Sequence, residues 1–481
     1  MGCLTLASGG WVSNLIVYLI EEFNIKSINA AKIYNFVNGS ITMFPIVGAV
    51  IADSFAGCFS VIWLSSLISL LGILFLVLTA SINHLRPPTC ENGSNPCKYP
   101  SELQFAVLYL GLALASLGSA GTRFTIAPMG ADQFDSPKHQ GVFFNWYIFT
   151  MYTATIISST AIVYVQDNVS WVWGFSLCVV ANVVGFVVFL SGARFYRRVK
   201  PRGSPFKSLA RVFVGAISKR RVVVSDNSED YYHGMCKDPK KTAPEKPTQF
   251  FRTSGDTTPD GSIANPWTLT TVQEVENLKS LTRISPLWST GLFLCTPLAI
   301  QLSLSILQAL TMDRHLGGSL FQVPAGSMPV FILISTSVCI FIIDRLLFPL
   351  WEKITETPLT LLQRVGIGHA LTIISMAVSA VVESKRLKMA RSGDLQMPAF
   401  CTSTAAVAMF IGIAFYISNA LIDLVRRVTG WLPDDINNGR LDNVYWVCCV
   451  VGGLNFGYYI VCALLYKYQN GEETEDGCSK S

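Results

Sequence analysis

Long apolar runs separated by short polar links set the rhythm of this chain. In the first half they cover about Gly2–Ile20, Phe36–Asp53, Phe59–Ile82, a stretch opened by Leu103 that reaches Arg123, Val142–Val165 and Val172–Ser191. In the second half they cover about Pro286–Leu310, Met328–Leu350, Leu359–Glu383, Ala405–Val425 and Val444–Tyr466. Each is close to the ~20 residues that a helix needs to cross the hydrocarbon core of a bilayer. The pattern predicts an all-α membrane protein with six spans, a long polar interval and five more. Glu21, Glu22 and Lys26 mark the aqueous end of the first run, which Gly9, Gly10 and Asn14 soften. It has no charged leader and no cleavage signature, so it reads as a span rather than a signal peptide.

The interval between the halves opens with a basic run, Arg194, Arg197, Arg198, Lys200, Arg202, Lys207 and Arg211 onward to Arg221. The positive-inside bias makes that side cytoplasmic. Phe206, Leu209, Val212, Phe213, Ala216 and Ile217 recur there at helical spacing, as in a helix lying on the inner leaflet. Residues 222–268 read as a polar linker, and Val272, Val275, Leu278 and Leu281 as a short helix leading back to the membrane. The expected organisation is an N-terminal bundle over 1–193, a cytoplasmic linker over 194–283, a C-terminal bundle over 284–466 and a hydrophilic tail over 467–481. A second basic stretch, Ser384–Arg391, reads as a loop.

Composition agrees: 51% of residues are hydrophobic and 14% charged, against about 25% charged in soluble domains. The net charge of +5 is modest and points to orientation in the bilayer, not to nucleic acid. Thirteen cysteines show no metal-ligand spacing, and no P-loop or nucleophile elbow occurs. Neither an enzyme nor a cofactor is expected. Cys90 and Cys97 share a polar loop with Asn92-Gly-Ser, a glycosylation acceptor; a disulfide and a glycan on one oxidising face are mutually consistent.

The most informative stretch is Gly118-Ser-Ala-Gly-Thr-Arg123. Its small residues allow close approach of a neighbouring helix. Arg123 is a permanent cation inside a span, at a cost of about 2.5–3.5 kcal/mol near mid-membrane, so it is expected to face a polar interior and mark a pathway. Asn145, Tyr147, Tyr152, Gln301 and Gln308 are candidate companions in a polar cavity. His369 is the one histidine well inside a span, and packing is its simplest role.

Several long motifs, in order, resemble the plant nitrate/peptide transporter family, the proton-dependent oligopeptide transporter branch of the major facilitator superfamily. They are Gly130-Ala-Asp-Gln-Phe-Asp135, Phe143–Trp146, Tyr164–Phe175, Tyr196–Pro205 and Trp431–Trp446. The first span and Ser119–Ile126 are most similar to the nitrate-excretion subgroup. The resemblance implies two helical bundles that rock about a central site, a small solute such as nitrate, and the plasma membrane. It also implies a gating role for Asp53 in Gly48–Gly57, and a similar structural role for Asp344 and Arg345.

Three departures qualify it. The coupling motif of the family's first helix, Glu-x-x-Glu-Arg, falls on Met1, Leu4 and Thr5, which carry no titratable side chain. Arg123 replaces the usual lysine and offers a planar donor fork suited to an oxyanion. The family's tenth helix has no counterpart between Glu383 and Ala405. Either everything after the gap is inverted, with Arg426 and Arg427 inside, or residues 384–404 cross without helical apolar length, which a bilayer forbids for exposed backbone. The expected function is alternating-access transport of small anions, most simply nitrate, with weak or no proton coupling. The alternatives are a shortened, non-transporting form that associates with full-length relatives, and a family carrier of another substrate such as a peptide or secondary metabolite. Nothing in the sequence fixes the oligomeric state.

Overall fold

A computed structural model describes residues 1–88, 99–197 except Phe124, 272–311, 348–356, 360–392, 421–429 and 440–465, with scattered residues between. Asn92, Cys90, Cys97, Asp344 and Arg345 lie outside the described residues. So do the core of the interval 222–268 and residues 393–418.

The first half is a series of long helices. α1 (Gly2–Ser13) and α2 (Leu15–Glu21) form one broken span, interrupted at Asn14. α3 (Ser27–Ile51) and α4 (Gly57–Ser81) are joined by a π-helical turn at Ala52–Ala56. Gly57 leaves that turn at φ 75°, a backbone state that costs glycine nothing. α5 (Glu102–Arg123) leads to the short α6 (Ile126–Ala131). α7 (Pro137–Ile157) continues through a π segment into α8 (Val163–Asn168), and α9 (Trp171–Ser191) closes the half. Pro137 opens α7, where a missing N–H costs nothing. The Ser170 hydroxyl accepts from the Val172 N–H, 3.2 Å away, and caps α9.

α10 (Val272–Leu310) is a single 39-residue helix. The expected short lead-in and the seventh span are therefore one element. α11 (Phe348–Thr355), α12 (Leu361–Ser392) and α13 (Leu441–Leu465) follow. The basic stretch Ser384–Arg391 is not a loop: it is the last two turns of α12, and Arg386 within it is buried. Its burial beside Glu383 explains why charge there does not end the helix.

Eight stretches among the described residues are long and apolar enough to cross a membrane. One of them, Ser27–Ser81, is 55 residues long, over 80 Å if straight at ~1.5 Å per residue, and must cross twice. Polar contacts between connections sort the helix ends onto two faces. Arg86 pairs with Glu22, and the Asn24 amide donates to the Pro88 carbonyl at 3.0 Å. The links after the first and third spans therefore share one face. At the other face, the Gln133 amide donates to the Arg197 carbonyl at 3.2 Å, the Arg197 N–H donates to the Gln133 side chain at 2.8 Å, and Arg197 pairs with Asp135. The basic run continues from Arg197, so this second face is the inner one. The exposed ion pair with Asp135 holds the Arg197 guanidinium above its ordinary pKa.

α4 and α5 pack at the closest range. A Cβ on Gly118 would lie 2.2 Å from the Ser69 nitrogen, and one on Gly72 would lie 2.2 Å from that of Ala115. These reciprocal glycines bring two backbones together where a membrane interior offers no hydrophobic drive to do so. An aromatic cluster of Tyr18, Trp171 and Phe175, with ring centroids 4.9–5.9 Å apart, ties α2 to α9. The Tyr18 hydroxyl shares a 3.0 Å hydrogen bond with Thr79. Large apolar side chains such as Leu71, Val188 and Leu464 remain exposed, as lipid-facing positions do.

Contacts divide the chain into two compact units, Met1–Arg202 with Gly291–Phe456, and Gly203–Thr290 with Gly457–Ser481. Within the second, Val212, Val275 and Leu278 form a small apolar cluster.

Candidate functional site

Arg123 is the last residue of α5. α5 ends there because the chain turns through Thr125, whose hydroxyl donates back to the Gly121 carbonyl at 2.6 Å. The Arg123 side chain is reached by solvent although protein surrounds it on most sides. Its electrostatic neighbour is Tyr147 of α7, whose hydroxyl also donates to the Arg123 carbonyl at 3.4 Å. Among the described residues no carboxylate pairs with the guanidinium. Tyr152, just over one turn further along α7, is half-buried, and Asn145 lies on the same helix with its side chain outside the described residues.

The two glutamines lie elsewhere. Gln301, buried on α10, donates to the Ser379 hydroxyl of α12 at 3.0 Å. Gln308 donates to Glu383 at 2.6 Å and accepts from the Tyr445 hydroxyl at 3.2 Å. They bridge helices of the second half, and neither has Arg123 as a hydrogen-bond partner among the described residues. His369, 1% exposed, stacks on Phe456 with ring centroids 6.1 Å apart. Asp53 is exposed in the Ala52–Ala56 turn at the inner face, where it and Asp132 both act on Cys58.

Sequence reading missed a buried polar cluster among the described residues of the second half. Glu383 is fully buried and held by Arg386, which donates to both carboxylate oxygens at 2.8 Å. A third Arg386 nitrogen donates to the Thr311 hydroxyl at 3.1 Å. Gln308, Thr311, Glu383, Arg386 and Tyr445 thus join α10, α12 and α13. The i,i+3 spacing of an acid and a base at the end of an apolar run was the signal available for it. Removing one partner of a buried pair leaves an uncompensated charge, at about 3–5 kcal/mol. Arg386→Met is expected to lower the melting temperature of the solubilised protein sharply. Arg386→Met combined with Glu383→Gln should recover most of the loss, as read from thermal melts in detergent.

A second contact went unseen because it links positions almost four hundred residues apart. Lys32 near the start of α3 pairs with Asp423. The Asn419 amide donates to the Lys32 carbonyl at 3.0 Å, and the Asn35 amide donates to Asn419 at 3.1 Å. Lys32 is on the outer face, six residues after Lys26. Residues 419–423 are therefore at the outer face too.

Comparison with known proteins agrees with this architecture. Residues 59–427 match the PTR2 model, described as the POT family. The chain belongs to the POT family. It is 50% identical over 475 residues to NRT1/PTR family 2.2 of Arabidopsis thaliana, spanning 98% of this chain and 92% of that protein. It is 49% identical over 513 residues to NRT1/PTR family 2.3 of the same plant, again spanning 98% and 92%. For the latter, 98% of 481 residues is about 471, so about 42 of the 513 aligned positions face no residue of this chain. The structure is similar to the crystal structure of the POT family transporter PepTSo, with a TM-score of 0.64 at 16% identity over 96% of this chain and 95% of that one. The POT family chain thus has the major facilitator fold; it is a multi-pass membrane transporter and not an enzyme.

Proposed function

We propose that this POT family chain carries small anions, nitrate first among them, across the plasma membrane by alternating access, with weak or no proton coupling. The observation that carries this reading is Arg123: a fixed cation, reachable by water, encircled by protein and unpaired by any described carboxylate. A planar guanidinium presents a donor fork that matches an oxyanion. Tyr147 supplies a phenol beside it, and Tyr152 is placed to extend the polar wall. The family's first-helix coupling motif falls on Met1, Leu4 and Thr5, none with a titratable side chain, which supports weak or no proton coupling. The two bundles, 1–193 and 284–466, would rock about this centre, joined by the linker 194–283 and followed by the tail 467–481. Asp53, beside Cys58 and Asp132, is proposed to steady the inner closed state. Nitrate flux in proteoliposomes tests the reading: uptake follows the nitrate gradient and stops in Arg123→Ala.

One observation favours a second reading, a shortened form that no longer transports and acts by associating with longer relatives. The alignment with NRT1/PTR family 2.3 leaves about 42 positions without a residue in this chain, enough for one span and its links. Absence of any flux from correctly inserted protein would support that alternative.

A further inference from the structure

A cavity of about 290 Å³ opens at the outer end of α3 and α5, away from Arg123. Lys26, Asn29 and Lys32 line it from the turn before α3 and its first turns. Ile25, Ile33, Tyr99, Phe105 and Tyr109 complete the lining. Phe105 and Tyr109 stack with centroids 5.6 Å apart and planes 12° from parallel, which gives the groove one flat aromatic face. Lysine and tyrosine at a membrane edge ordinarily anchor a helix to the interface. Two features go beyond anchoring. Two lysines, an asparagine and two tyrosines line one open groove. One of the lysines, Lys32, is also the partner of Asp423.

We propose that this groove binds an oxyanion carried on an apolar body, and that the ligand competes with Asp423 for Lys32. The ammonium groups and phenols meet the oxyanion, and the Phe105–Tyr109 face receives the apolar part. Asp423 is a carboxylate already seated on Lys32, so a ligand oxyanion on the same ammonium competes with it. A ligand that takes Lys32 releases the ion pair between α3 and the segment at 421–429, while the Asn419 hydrogen bonds to Lys32 and Asn35 stay in place. Binding at the outer face would thereby loosen one link between the first and second halves of the chain. The oxyanion has two possible sources, a phospholipid headgroup of the outer leaflet or a soluble organic anion.

The experiment measures binding of two probes to the full chain at constant ionic strength. Phenyl phosphate is titrated by calorimetry into detergent-solubilised protein, and dioleoyl phosphatidic acid is titrated in nanodiscs of otherwise neutral lipid. Saturable binding is expected for at least one probe. Phosphatidic acid alone identifies a lipid headgroup, whereas binding of both identifies a site open to soluble anions. Asp423→Asn should bind about three- to fivefold tighter, the scale of a half-exposed ion pair, because the internal competitor is gone. Lys26→Gln should bind several-fold weaker, and Arg123→Ala should bind as wild type does, which separates this site from the transport site. Failure of both probes to saturate, or Asp423→Asn binding no tighter than wild type, overturns the proposal. If Asp423→Asn does not fold, unchanged binding by Lys26→Gln overturns it instead.

Discussion

Arg123→Ala is expected to abolish anion flux while the protein still inserts and melts as wild type does. The side chain is exposed, so its loss opens no cavity in the core. The Tyr147 hydroxyl bonds to the Arg123 carbonyl rather than to the side chain, and that contact survives any substitution. What disappears is the charge. A hydrogen bond to a charged group contributes about 1.5–3 kcal/mol, and a bidentate fork makes two, so the anion loses most of its binding free energy. Arg123→Lys keeps the charge without the planar fork and should fall between, with affinity reduced more than maximal rate. Flux at several nitrate concentrations, beside a thermal melt of each variant, makes the measurement. Normal flux in Arg123→Ala would remove this residue from the site.

The second large effect concerns topology. α12 ends at Ser392 on the outer face, because Arg386 near its end bonds to Thr311, just past the outer end of α10. Arg314, three residues on, acts on Glu21 and Asp167 at that same face. Asn419 and Asp423 are also at the outer face, beside Lys32. Ser392 and Asn419 are thus on one face, separated by 26 residues, whereas two helical crossings would need about 40. α13 runs inward from Tyr445, which bonds to Gln308 near the outer end of α10. A tag appended after Ser481 should then be reached by antibody only in permeabilised cells. A tag reached in intact cells would show that loss of one span has inverted the end of the chain and broken the Lys32–Asp423 pair.

Much of this was legible in the sequence because membrane helices announce themselves by length and hydropathy. The α9 span was expected at about Val172–Ser191 and observed at Trp171–Ser191. The small residues around Gly118 foretold a close helix contact, though not that Ser69 and Ala115 would be on the other side of it. Arg123 stood out because a lone cation in an apolar run has few physical excuses. The helical reach of α12 did not stand out, because Lys385, Arg386 and Lys388 read as solvated until Glu383 is seen to neutralise one of them inside the bundle. Gln301 and Gln308 were recognised as polar positions within a span, but hydropathy does not say which neighbour a helix face will meet. The Lys32–Asp423 pair depends wholly on tertiary arrangement, and no local pattern marks it.

The measurement that tests the central claim most directly is uptake of labelled nitrate by purified protein in proteoliposomes, with and without an imposed pH gradient at fixed membrane potential. The account predicts saturable uptake that follows the nitrate gradient and is unchanged when the pH gradient is added or reversed. Uptake that requires protons moving with nitrate would contradict it, and would mean that a carboxylate elsewhere does the work of the missing first-helix motif.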